Sequence, residues 1–157
     1  MILLTMDFYI APFARRLFLG TDGKIDIGKV EASYDKETLD ELRDYPGLIW
    51  KIWSIEENGR HGSGTYLFAD EASAKIRRRF AEKFYNFKGM LFVRCKTRIV
   101  LENCSAYTRA PLNLPANPPI TEEQARRIMH PKLENPLKML RHKKELISEY
   151  ERGEGKR

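Results

Sequence analysis

Between residues 46 and 70 the chain reads Pro46-Gly47-Leu48-Ile49-Trp50-Lys51-Ile52-Trp53-Ser54, then a turn, then Gly64-Thr65-Tyr66-Leu67-Phe68-Ala69-Asp70. No other stretch limits the fold so strongly. Large apolar groups occupy both parities of residues 48–53, and a strand without polar alternation needs cover on both faces. Trp50 and Trp53, three apart, project to opposite sides, and Lys51 goes with Trp53. Asn58-Gly59, between the two runs, is the dipeptide that reverses an antiparallel hairpin.

The rest of the chain can be placed around this pair. Residues 2–10 alternate as a strand, with Ile2, Leu4, Met6 and Phe8 on one face. Residues 14–30 hold no sustained period and read as an insertion, a loop or small hairpin, either a merely mobile segment or a flap over a pocket. Ser33 or Asp35 caps a helix running to about residue 44, with Leu39 and Leu42 inward. Strands at 48–55 and 63–69 follow. Asp70 then caps a helix in which Ile76, Phe80 and Phe84 face inward, Lys75, Arg77, Arg78, Arg79 and Lys83 face solvent, and Gly89 is the C′ residue. A long strand over 90–103 completes a βαββαβ order. That order predicts an α+β, ferredoxin-like fold, a four-stranded antiparallel sheet with both helices on one face. Covering the other face calls for a second copy of the sheet, hence a homodimer in the manner of a dimeric α+β barrel.

Beyond residue 110 the pattern changes. Pro111, Pro115, Pro118 and Pro119 preclude a regular helix and favour an extended arm. Thr121 and Gln124 have the spacing of a capping box, and a last amphipathic segment begins near Pro136 with Leu137, Leu140 and Ile147 as its stripe. The expected organisation is a 1–110 domain with an insertion at about 14–30, and a 111–157 Pro-rich arm and helical extension.

The formal charge of +6 invites a nucleic-acid reading, but the excess is diffuse. Residues 1–120 hold 18 basic against 15 acidic side chains, and 121–157 hold 10 against 7. An RNA-binding sheet would also carry an aromatic strand motif, of which Gly89-Met90-Leu91-Phe92-Val93 is only an echo. Nucleic acid is therefore not the expected partner. No apolar run reaches the length of a membrane helix, and an acid at Asp7 comes too soon for a signal peptide, so the expected setting is cytoplasmic. Cys95 and Cys104 lie on opposite sides of one predicted strand and read as reduced thiols.

The P-G-x-x-W-K-x-W run at 46–53 and the Y-L-F-x-D-E-x-S-A run at 66–74 resemble the YdhR-type monooxygenase family, of the dimeric α+β barrel superfamily. The resemblance continues loosely to Pro111-Leu112, and Ala11-Pro12-Phe13 resembles a G-P-F step near the first strand. It implies a homodimer whose sheets face each other and a pocket between sheet and helices. By likeness to cofactor-independent quinone-forming monooxygenases, it implies a small aromatic or hydrophobic substrate and no cofactor. Residues 14–30 and 121–157 depart from the family pattern.

The available chemistry is sparse. Lys51, flanked by apolar residues, would have a lowered pKa if buried and could handle a proton. Tyr66 offers a phenol in a buried strand, and His61, in a glycine-rich turn, is the remaining candidate catalytic group. Trp50, Trp53, Arg94 and Tyr107 are candidate substrate-binding residues. Core packing competes for the tryptophans and Tyr66, snorkelling to a rim or pairing with an acid for Lys51, and an exposed turn position for His61. Gly59-x-x-Gly62-x-Gly64 leads into a strand and is no phosphate loop. His130 and His142 lack metal-ligand spacing. A non-catalytic ligand-binding dimer is the alternative to an enzyme, and an RNA-binding module a more distant one.

Overall fold

The computed structural model describes residues 1–84, 89–132 and 135–154. Four strands, β1 (Ile2–Ile10), β2 (Leu48–Ile55), β3 (His61–Phe68) and β4 (Met90–Ile99), form one antiparallel sheet in the order β2-β3-β1-β4. The α+β class and the antiparallel four-stranded sheet agree with the sequence reading. Helix α3 (Lys36–Arg43) is capped by Asp35, whose carboxylate accepts from Thr38 N. Helix α4 (Glu71–Phe84) opens where Asp70 accepts from Ser73 N at 2.8 Å. The hairpin between β2 and β3 turns at Asn58-Gly59, with Gly59 at a φ of 67° and Asn58 Oδ1 accepting from Arg60 N.

Helices α3 and α4 cover one face of the sheet, the inner face. Leu4, Met6, Leu48, Tyr66 and Phe68 meet Leu42, Tyr45, Ala74 and Ala81 there in the main core. The buried stripe of α4 differs from expectation. Ile76 and Phe80 are only half-buried, whereas Ser73, Ala74, Arg77 and Ala81 are buried. Small residues at this spacing let the helix approach the sheet closely. Arg77, expected on the solvated side, lies at 5% exposure with its guanidinium near the Tyr45, Tyr66 and Phe80 rings. Arg78 is ion-paired with Glu82 at 2.9 Å. The basic helix face is thus thinner than the sequence implied. The side chain of Phe84 and the turn ahead of Gly89 fall outside the described residues, though Gly89 adopts a φ of 78°.

Residues 14–30 are more ordered than a loop. After α1 (Pro12–Arg15) and a 3-10 turn (Arg16–Phe18), a single bridge joins Leu19 to Ile25, and α2 (Ile27–Ala32) follows with Asp26 accepting from Lys29 N. The last strand is shorter than expected. It ends at Ile99, and α5 (Glu102–Tyr107) begins where its last residues were expected, so Cys104 lies exposed on a helix and Cys95 half-buried in the sheet. Both are free thiols.

The extension packs back on the sheet. Asn117 N donates to Leu48 O, Gly47 N donates to Pro118 O, and Asn117 Nδ2 donates to Arg43 O and Tyr45 O. This arm shields the otherwise open edge of β2 at its start. Helix α6 (Glu122–Met129) carries the capping box read from Thr121 and Gln124 and sends Ile128 to the main core. Helix α7 (Pro136–Glu149) crosses the outer face. Its anchor is Leu146, packed with Tyr9, Ala11 and Leu91, while Leu137 and Leu140 are exposed instead of forming the expected stripe. A π-helical turn (Tyr150–Glu154) follows, and residues 155–157, expected to fray, lie outside the described set. Part of the outer face is therefore covered by the chain's own extension, not left wholly to a partner.

Candidate active site

The register of the β2–β3 hairpin builds the site. Lys51 pairs with Tyr66 and Trp53 with Gly64, which puts Lys51, Trp53 and Tyr66 together on the inner face, while Trp50, opposite Leu67, goes to the outer face. Along β3 the inner positions are Gly62, Gly64, Tyr66 and Phe68. A Cβ at Gly62 would press into the Phe8 ring, and one at Gly64 would stand 2.9 Å from the Tyr66 ring and 3.4 Å from Lys51 Cε. The glycine spacing that resembles a phosphate loop in one dimension is, in a strand, a hollow on one face.

Over that hollow lies a small chamber of about 60 Å³ whose walls include Lys51, Trp53, Tyr66, Arg77, Leu42 and Phe92. Lys51 Nζ sits 2.7 Å from the Trp53 ring centre and 4.7 Å from that of Tyr66. Arg77 Nη2 donates to Tyr66 Oη at 3.4 Å. Tyr34 packs on Trp53 with ring centres 4.4 Å apart. Among the described residues no carboxylate pairs with Lys51.

Burial, and secondarily the Arg77 guanidinium, push the Lys51 amine down from 10.5 to about 5. The aromatic faces act in the opposite sense, since they favour the ammonium. Burial is the larger influence, so the Lys51 amine is held well below its ordinary value beside a fixed cation. The chamber joins an aromatic wall, a proton acceptor, a phenol and a guanidinium, a set suited to receiving and stabilising an acidic hydroxyl.

The remaining candidates lie elsewhere. His61 is the first residue of β3, not a turn residue; it is half-buried on the outer face, opposite Tyr9, with Nδ1 3.2 Å from Glu56 Oε2. Arg94 is on the same outer face beside Asp7, at 4.0 Å, and Asp7 also accepts from Ser63 Oγ at 2.8 Å. These residues line a separate cleft of about 510 Å³. Trp50 Nε1 donates to Pro111 O at 3.0 Å, so its polar atom is engaged by the arm. Tyr107, on α5, is 91% exposed. Arg77 is the group that sequence reasoning missed. The signal was present: Ser73, Ala74, Arg77 and Ala81 mark the helix face where a long stem can lie between small neighbours.

Among the described residues no cluster of three or more His, Cys, Asp or Glu side chains is arranged to hold a metal ion, and no helix is long and apolar enough to cross a membrane. No curated protein matches the chain. A family model described as "Putative mono-oxygenase ydhR" matches residues 24–111, from the end of the insertion through β4 and α5 to the start of the arm. This span holds Lys51, Trp53, Tyr66 and Arg77 and more than half of the chain, and the protein therefore belongs to the ydhR family.

Proposed function

We propose that this protein is a monooxygenase acting without a cofactor on a small aromatic substrate that carries an acidic hydroxyl or its keto tautomer. The observation that carries the reading is the Lys51 amine buried inside an aromatic chamber, its pKa lowered by that burial, with Arg77 and Tyr66 beside it. A phenol ionises near pH 10, about five units above the Lys51 ammonium. Forming the phenolate creates two attractions, to the new ammonium and to Arg77. At about 4 kcal/mol for a pair 4 Å apart in a partly buried site, each is worth roughly three pH units, enough to close the gap.

The anion is then the reductant. For a ring methylene activated by the hydroxyl, the substrate loses one proton to Lys51, and its carbanion form gives an electron to dioxygen. The radical pair joins as a carbon–oxygen bond. The resulting peroxide takes the proton back from Lys51, and loss of water leaves a carbonyl. In the net change the methylene and one molecule of dioxygen become a carbonyl and one molecule of water, with all four electrons from the substrate. The protein supplies the base, the anion site and exclusion of water.

Oxygen uptake with an anthrone and phenol panel tests this. The expected result is one dioxygen consumed per carbonyl formed, with Lys51→Met slower by roughly a hundredfold or more. No turnover above the spontaneous rate across the panel would refute it, and saturable binding without uptake would assign a ligand-binding role instead.

The reading includes a homodimer. Trp50 and Ile52 lie on the outer face away from α7, and Ile52 is 55% exposed, an apolar surface that a second sheet would bury. A monomeric mass by light scattering at micromolar concentration would contradict it.

A further inference from the structure

The small chamber does not end at Trp53. A second cavity of about 710 Å³ shares the walls made by Phe8, Tyr34, Thr38, Trp53 and Met90 and continues beneath the insertion, against Phe18, Ile27 and Val30. The two compartments differ in size and chemistry. The inner one has room for only a few atoms and holds the basic groups and the phenol. The outer one has the volume of a site for a drug-sized ligand, and apolar side chains dominate its lining. No charged group of the inner chamber lines the outer one.

We propose that the preferred substrate is an amphiphile: a compact acidic hydroxyl head seated at Lys51, Arg77 and Tyr66, with an extended apolar body running under α2. Phe18, Ile27 and Val30 are then the residues that set substrate length. A single ring can put its hydroxyl into the inner chamber but leaves most of the outer cavity to water, against apolar walls that gain by burial. A ligand with a second ring or an alkyl chain removes that surface from water. The insertion is thereby given a job that its irregular sequence concealed. Its fold supports it: Ile25 packs so closely over the Asn58-Gly59 turn that a Cβ at Gly59 would collide with it, which pins α2 to the hairpin that carries Lys51.

The inference rests on the proposed head-group site, and its test separates the two. Calorimetric titration without oxygen, using phenols with para-alkyl chains from methyl to nonyl, reads binding with no chemistry. Affinity should rise about fourfold for each added methylene until the outer cavity is filled. Val30→Phe, which narrows the cavity, and Phe18→Ala, which removes a wall, should each flatten that rise and leave the methyl compound unchanged. Equal affinity along the series would overturn the proposal, as would variants that weaken every member alike. Chain-length-dependent binding with no oxygen uptake in air would sink the oxygenase reading while the amphiphile assignment stood. Oxygen uptake without chain-length dependence would do the reverse.

Discussion

Replacing Lys51 with methionine should stabilise the protein, and by an amount that depends on pH. In the unfolded chain this amine ionises at its ordinary 10.5, and in the folded protein it is pushed down to about 5. Above pH 10.5 both states hold a neutral amine and the side chain costs nothing. As pH falls below that value the unfolded state takes up a proton that the folded state refuses, so stability is lost at about 1.36 kcal/mol per pH unit until the folded amine is also protonated. At pH 7 the accumulated cost is about 5 kcal/mol, and the Trp53 face lessens it only to the extent that it lifts the folded-state pKa past 7. Lys51→Met keeps the volume and removes the titration. Urea unfolding of both proteins at pH 6, 7, 8 and 9 should show the variant ahead by about 3 to 5 kcal/mol at pH 7. The gap should widen by about 1.4 kcal/mol for each unit of acidification. The pH at which it stops widening is the folded-state pKa. Parallel stability curves, or a variant less stable than the parent at pH 7, would refute the assignment of Lys51 as a buried neutral amine.

Arg77→Leu removes a cation that helps hold Lys51 neutral, so the break in that stability difference should move to higher pH, and kcat/KM on any substrate found should fall roughly a hundredfold. Gly47→Ala should cost about 2 kcal/mol or more by chemical denaturation, because Gly47 has a φ of 70° and a Cβ there would strike the side chains of Asp70 and Ser73. Burial, and then the Glu82 carboxylate, push the Cys95 thiol up to about 11, whereas Cys104 is exposed on α5. A thiol reagent at pH 8 should therefore label one cysteine quickly and the other slowly, and Cys104→Ser should abolish the fast phase.

The hairpin was legible because its information is local. A period of two fixes which side chains share a face, so Lys51 with Trp53, and Trp50 opposite them, follow from counting once the strand is known. The capping residues Asp35, Asp70 and Thr121 were equally readable, since a cap is satisfied within three residues. Arg77 was hidden for the opposite reason. Its inward position depends on how closely α4 approaches the sheet, which the alanines at 74 and 81 decide, while Ile76 and Phe80 drew attention to a neighbouring face. The last strand was read too long and too regular, which hid the outward position of Arg94. That strand gives way to α5 after Ile99, and a register shift against β1 at Asp7-Phe8 interrupts its alternation. The tail was the hardest part, because Leu146 finds its partners, Tyr9 and Leu91, far away along the chain on β1 and β4.

The strand order also sets a schedule for folding. The central strand β1 leaves the ribosome first, yet its partners are residues 61–68 and 90–99, so it waits for most of the domain to be made. The hairpin β2–β3 needs only a short turn and can close on its own, within microseconds by the usual rates for such units. In a hairpin that closes first, Lys51 and Tyr66 are neighbours before the core exists. The amine is brought to its phenol partner while both are still wet, and it loses its proton only when β1 and α4 arrive to seal them. Refolding should therefore slow as the pH falls below 10.5, where that last docking must expel a proton, and level off near the folded-state value of about 5.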